Sequence, residues 1–193
     1  MNAVFFGVFL LQAVTPVLGF ATGAPASVCG SMKPEHSRVQ PQPGQPPYTI
    51  ETSNSTFQTG QPLTVIIKGP DYGGVLLEAR SGSRTNALGS WESPPANTKY
   101  LQCSGNNQGA ITHSNANMKS NLTVYTWIPP ETSNSIYFVA TVAKDRSVYW
   151  LNVKSATLTR DGAVGAGSAA DPKMATAPVL LVLTMLASTL FQS

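Results

Sequence analysis

The residues able to do chemistry are few in this 193-residue chain, and their spacing excludes most catalytic designs. The two imidazoles, His36 and His113, lie 77 positions apart with no cysteine to spare, so a zinc site is not expected. Nine acidic residues are scattered, without a close pair suited to glycoside hydrolysis. There is no Gly-X-Ser-X-Gly elbow and no His-Glu-X-X-His helix. Gly162-Ala163-Val164-Gly165-Ala166-Gly167 has the letters of a phosphate loop but no βα unit around it. No catalytic residue, metal ligand or cofactor is expected, and nothing in the residue types argues for an enzyme.

Binding is the remaining chemistry. Arg80, Arg84 and Lys99 flank a stretch containing Trp91, and Lys144-Asp145-Arg146 falls in a turn. If strand ends cluster, these residues form a basic, aromatic-bearing rim suited to anionic glycans or lipid phosphates. A net charge of +3 attracts acidic surfaces weakly and falls far short of a nucleic-acid footprint. Trp127 and Trp150 sit in strand-like runs and are expected in the core.

The elements that must position these residues are strands. Leu122–Ile128 and Ile136–Val142 are β-branched and aromatic runs with a period of two, separated by a Pro/Ser/Asn break. They read as the central strand pair of an all-β domain. Further strands are expected at Tyr48–Thr52, Leu63–Lys68 (central), Val75–Arg80, Lys99–Cys103, Ala110–His113 and Ser147–Ala156. Ser81–Thr98 reads as one long connection, and Ser104–Gly109 as a turn. About eight short strands at turn-punctuated spacing imply a β-sandwich. The Pro/Gln stretch before Tyr48 reads as an extended, solvated arm pinned by Cys29.

Both ends are apolar. Residues 1–19 have the length and small-residue close of a secretory signal peptide, with a site after Gly19 and another after Ala21. Residues 174–193 carry no charge. Small residues and a short polar spacer (161–173) precede them, the pattern of a glycolipid-anchor signal rather than a single-pass helix. Gly165, Gly167 and Ser168 are the candidate attachment residues, and membrane association is expected through this tail. The domain itself is placed at 20–160. In the oxidising compartment so implied, Cys29 and Cys103 most simply form one disulfide, closing a loop of about 75 residues worth roughly 4 kcal/mol. The sequons at Asn54 and Asn121 agree with export.

Several spaced motifs, in order, resemble a reeler (reelin-type) domain of the kind seen in insect defence-protein relatives. They are Gly23-Ala24-Pro25 ahead of Cys29, Met32-X-Pro34-X-His36, Gly60-Gln61, and Leu76-Leu77-Glu78-Ala79-Arg80. Leu101-X-Cys103, Thr112-His113-Ser114, Trp127-X-Pro129-Pro130, Phe138–Val142 and Tyr149-Trp150-X-X-Val153-X-Ser155 complete the set. The resemblance implies an immunoglobulin-like sandwich, a Cys29–Cys103 bridge, and a structural role for His36 and His113. It also implies an extracellular, non-enzymatic protein, either of innate immunity that binds microbial surface polysaccharide or lipopolysaccharide, or of adhesion with a matrix glycan or cell-surface protein. No reductase activity is expected, since no room exists for a haem-binding bundle.

Overall fold

The computed structural model describes residues 20–34 and 39–162. The expected signal peptide, the linker's attachment residues Gly165, Gly167 and Ser168, the apolar tail and His36 lie outside the described residues. A 3-10 turn (Ala26–Val28) is followed by strands β1 (Thr49–Thr52), β2 (Thr56–Phe57), β3 (Leu63–Lys68) and β4 (Gly74–Arg80). Then come β5 (Ser90–Glu92), β6 (Thr98–Cys103), β7 (Asn106–His113) and β8 (Val124–Ile128), and last β9 (Ser135–Ala143), β10 (Tyr149–Lys154) and β11 (Leu158–Arg160). Among the described residues no helix is long and apolar enough to cross a membrane.

The strands form two packed sheets. One has the order β1-β3-β8-β5; the other runs β2-β11-β9-β4-β7-β6, with β10 also paired to β9. Alternation explains the first sheet: Leu63, Val65 and Ile67 of β3 are buried while Thr64 is exposed, and Tyr125 and Trp127 of β8 point inward while Val124 does not. Facing them from the second sheet are Leu77, Ile111, Ile136, Phe138 and Ala140. Trp91, Trp127 and Phe138 form the aromatic centre, with ring centroids 5.8 Å apart for Trp91–Phe138 and 5.1 Å for Trp127–Phe138. Trp150 is half-buried and meets Tyr48 edge-on at 5.4 Å.

Four expectations are corrected here. The runs ending at Ile128 and beginning at Ile136 are not neighbours in a sheet: β8 pairs with β3 and β5, β9 with β4, β10 and β11. Pro129 and Pro130 cannot donate to a ladder, so the chain leaves one sheet there and crosses to the other. Arg160 fastens the crossing, donating to the carbonyls of Pro130 at 2.6 Å and Ser133 at 2.7 Å. Among the described residues the strands number eleven rather than about eight, because several are too short to show a period. Ser81–Thr98 is interrupted by β5, whose Trp91 is its one buried residue. The turn at 104–109 shrinks to Ser104 and Gly105, both at positive φ (53° and 79°), as a two-residue hairpin requires. β7 therefore starts at Asn106 instead of Ala110.

The second sheet is buried on both faces, which a two-layer sandwich does not by itself demand. On β4, Val75, Leu77 and Ala79 enter the main core, while Leu76, Glu78 and Arg80 lie on the outer face. A smaller core of Val28, Met32, Leu76, Ala110 and Val139 forms there beneath the N-terminal arm. The Cys29–Cys103 disulfide ties that arm to the edge strand β6, closing a separation of 74 residues.

Candidate functional site

The site is built where the arm crosses the outer face of the second sheet. Four polar side chains of the sheet grip the arm's backbone. Arg80 donates through Nη2 to the carbonyls of Cys29 at 2.5 Å and Gly30 at 3.2 Å. Thr141 donates to the carbonyl of Met32 at 2.5 Å. Thr112 accepts from the Ala24 N–H at 2.9 Å and donates to the carbonyl of Val75. His113 Nε2 lies 2.7 Å from the carbonyl of Phe20. A carbonyl can only accept, so Nε2 carries the proton and Nδ1 is left to accept from the Val75 N–H at 3.2 Å. Gly23 makes the close passage possible: it sits at φ +112°, and a Cβ there would lie 2.5 Å from the carbonyl oxygen of His113.

Burial sets the charges on this face. Desolvation lowers the His113 pKa below its usual 6.5, with Lys119 and Lys99 adding to the effect, so the ring is neutral and keeps the tautomer just described. Glu78 is fully buried and receives both Nε and Nη2 of Arg80 at 2.9 Å. Burial nevertheless outweighs the guanidinium and raises the carboxyl to about 7. One oxygen, Oε1, has no hydrogen-bond partner among the described residues. Glu78 approaches both cysteine sulfurs in the manner of a metal site. The sulfurs are bonded to each other, however, and Arg80 holds the carboxylate, so these three do not form a ligand set. Lys119, 2% exposed, donates to the carbonyls of Gly73, Asn117 and Asn115 at 2.6, 2.8 and 3.0 Å. Burial draws its pKa down to about 8, which leaves it protonated at neutral pH.

Between the arm and the ends of β4 and β9 lies a cavity of about 340 Å³, open along one side. Gly73, Gly74 and Ala143 form a floor with no side chain beyond a methyl; Val28 and Met32 of the arm and Met118 of the β7–β8 loop form walls. Lys144, Asp145 and Arg146, in the β9–β10 turn, stand at the edge and are exposed.

The basic, aromatic rim expected from the sequence is not assembled. Trp91 is wholly buried in the main core, meeting Tyr125 edge-on and Phe138 at a tilt. Arg80, 7% exposed, is consumed by Glu78 and the arm. The reason is the same for both: their strands are covered on the faces those side chains occupy. Arg84 and Lys99 are exposed, but Arg84 lies in a depression with Ser104 after β4, while Lys99 lies on β6 against Gly23. Asn54 and Asn121 are exposed in the turns before β2 and β8. The cavity carried no sequence signal, because its lining comes from four separated stretches and is defined by small residues.

Two sheets packed face to face, with a disulfide-tied arm across one of them, define a β-sandwich module of the extracellular kind. The family model of the Reeler domain matches residues 27–165. The chain belongs to the reeler family. It is 36% identical over 157 residues to the Antheraea mylitta protein named "Putative defense protein 3", covering 79% of this chain and 93% of that one. "Putative defense protein Hdd11" of Hyphantria cunea is 37% identical, covering 77% of this chain and 93% of the relative. Bovine ferric-chelate reductase 1 is 29% identical over 154 residues, which cover 78% of this chain but only 26% of the reductase. Among solved structures, the human F-spondin reeler domain is similar at 14% identity, covering 64% of this chain and 95% of that chain, with a TM-score of 0.49.

Proposed function

We propose that this chain is a non-enzymatic extracellular binding protein of the innate-defence type, recognising polysaccharide or lipopolysaccharide at microbial surfaces and held at the cell surface by its processed C-terminal tail. The observation that carries the reading is the extent of the likeness to the insect defence proteins. This one domain accounts for 93% of the two relatives described above, whereas roughly three-quarters of the reductase lies outside the match. The solvent-facing cations Arg84, Lys99, Lys144 and Arg146 supply attraction for anionic surface polymers.

The test is retention of the secreted chain on beads carrying lipopolysaccharide, peptidoglycan or heparin, over a salt series. Retention on the microbial ligands, weakening with salt, is expected. Retention on heparin alone would favour the matrix-adhesion reading, and retention on none would overturn both. Release from intact cells by a phosphatidylinositol-specific phospholipase tests the anchor; full retention on the cell would favour a spanning tail.

A further inference from the structure

We propose that the cavity beneath the N-terminal arm is a lipid site, taking one acyl chain of an anionic glycolipid and placing its charged head against Lys144 and Arg146. This deepens the reading just given and rests on it for the source of the lipid.

The lining selects the chain. At about 340 Å³ the cavity falls within the roughly 300–1,000 Å³ typical of small-molecule sites. Its surface is largely aliphatic, from Val28, Met32, Leu76, Met118 and Ala143. An apolar cavity has little to offer water and stays ready for an apolar guest. Met32 and Met118 add side chains that adapt to an irregular occupant. The polar side chains in the wall are already used. Both ring nitrogens of His113 have backbone partners, and the hydroxyl of Thr141 is given to Met32. A sugar would find few unspent donors or acceptors inside, while an alkyl chain requires none.

The mouth selects the head. Lys144 and Arg146 are exposed and have no ion-pair partner among the described residues. Asp145 between them is bonded within its own turn; it keeps its charge and is attracted by Lys144, so the three residues together carry one net positive charge. Asp145 Oδ1 accepts from the N–H of Ser147 at 2.8 Å, its hydroxyl at 2.7 Å and the N–H of Val148 at 3.0 Å. Those bonds hold the turn and lower the Asp145 pKa, the Ser147 hydroxyl most of all. Behind the floor, the Lys119 ammonium adds a further positive charge. An apolar slot with cations at its edge complements an anionic amphiphile and disfavours a neutral one.

The experiment uses the secreted chain and four probes: dodecyl phosphate, dodecyl maltoside, intact lipopolysaccharide, and the lipopolysaccharide polysaccharide freed of its lipid. Titration calorimetry should show dodecyl phosphate bound about tenfold more tightly than the uncharged maltoside. Ala143→Leu, which fills the floor, should abolish binding of both. Ala116→Phe, at an exposed position of the rim, should weaken both and serves where the floor variant does not fold. Lys144→Glu with Arg146→Glu should erase the preference for phosphate while keeping the maltoside. Thermal unfolding of each variant checks that the fold persists. Intact lipopolysaccharide should bind and its lipid-free polysaccharide should not.

If wild type and both cavity variants hold lipopolysaccharide equally and dodecyl phosphate is ignored, the lipid site is overturned and microbial recognition stands. If dodecyl phosphate binding is lost on filling the cavity but no envelope material is held, the site stands and the microbial source fails. Binding of the lipid-free polysaccharide as tightly as the intact molecule overturns the acyl-chain assignment.

Discussion

Trp127 and Phe138 meet edge to face with ring centroids 5.1 Å apart and planes at 87°, one from each sheet. Only ten residues separate them from one another in the chain, yet they face across the sandwich rather than along a ladder. Trp127 is further fixed by its indole N–H, which donates to the carbonyl of Leu88 at 2.9 Å. Phe138→Ala should therefore cost about 3–5 kcal/mol, since it removes the surface that Trp91 and Trp127 pack against. Urea unfolding monitored by tryptophan fluorescence measures it; a loss below about 1 kcal/mol would contradict a shared inter-sheet core.

Gly89 is irreplaceable on two grounds. It sits at φ +65°, and a Cβ there would lie 2.4 Å from the Ile128 carbonyl oxygen and 2.6 Å from the Trp127 ring. Gly82 shares the backbone conformation (φ +57°) but faces open space. Gly82→Ala should cost about 1 kcal/mol, whereas Gly89→Ala should cost clearly more. Equal losses in chemical denaturation would remove the steric part of this account.

His113 should make the arm sensitive to acid. Its folded pKa lies below 6.5, so on acidification the unfolded chain takes up the proton first. The stability it contributes is thus present above about 6.5 and declines as pH falls through and below that value. The protection of the Gly23 and Ala24 amides, bonded to Phe20 and Thr112, should fall between pH 7.5 and 5 once exchange is corrected for its intrinsic pH dependence. His113→Gln keeps a donor and an acceptor but does not titrate, and should flatten that dependence. An unchanged profile in the variant would assign the acid response to another group.

Glu78 should act in the opposite sense. Its pKa rises from 4.5 to about 7, so the folded chain retains a proton that the unfolded chain has released. Its contribution is greatest below about 4.5 and is lost as pH rises through about 7. Melting temperatures of wild type and Glu78→Gln across pH 4 to 8 should converge at low pH and diverge upward, after the constant cost of the substitution is subtracted. Parallel curves would mean that Arg80 keeps the carboxylate ionised throughout.

Removing the disulfide should loosen the arm without dissolving the sandwich. Cys29→Ser with Cys103→Ser is expected to cost about 2–5 kcal/mol. Arg80, Thr112, His113 and Thr141 still hold the arm's backbone, and the main core does not include either cysteine. Near-ultraviolet circular dichroism of the buried tryptophans should survive, while limited proteolysis should cut between Phe20 and Pro34. Loss of the aromatic signal would show that the arm is needed for the core itself.

The features legible along the chain are local or covalent. The apolar run of Leu63–Lys68 and the alternation in Leu122–Ile128 are visible without a partner, because successive side chains on a strand point to opposite faces. Two cysteines leave a single intramolecular pairing. The motif string around Cys29, Thr112-His113 and Trp127 was enough to indicate the family. Tertiary structure alone decided which faces are covered and which strands are neighbours. Alternation names two faces of β4 and does not say that an arm from residues 20–34 will lie over the outer one, turning Arg80 from a surface cation into a buried clamp. Trp91 likewise sits in three strand residues among polar ones, too few for a period, and is covered by Phe138 of the facing sheet, 47 positions later. The cavity at Gly73, Gly74 and Ala143 is legible only in three dimensions, since it is made by what those residues lack, between segments that long-range pairing brings together.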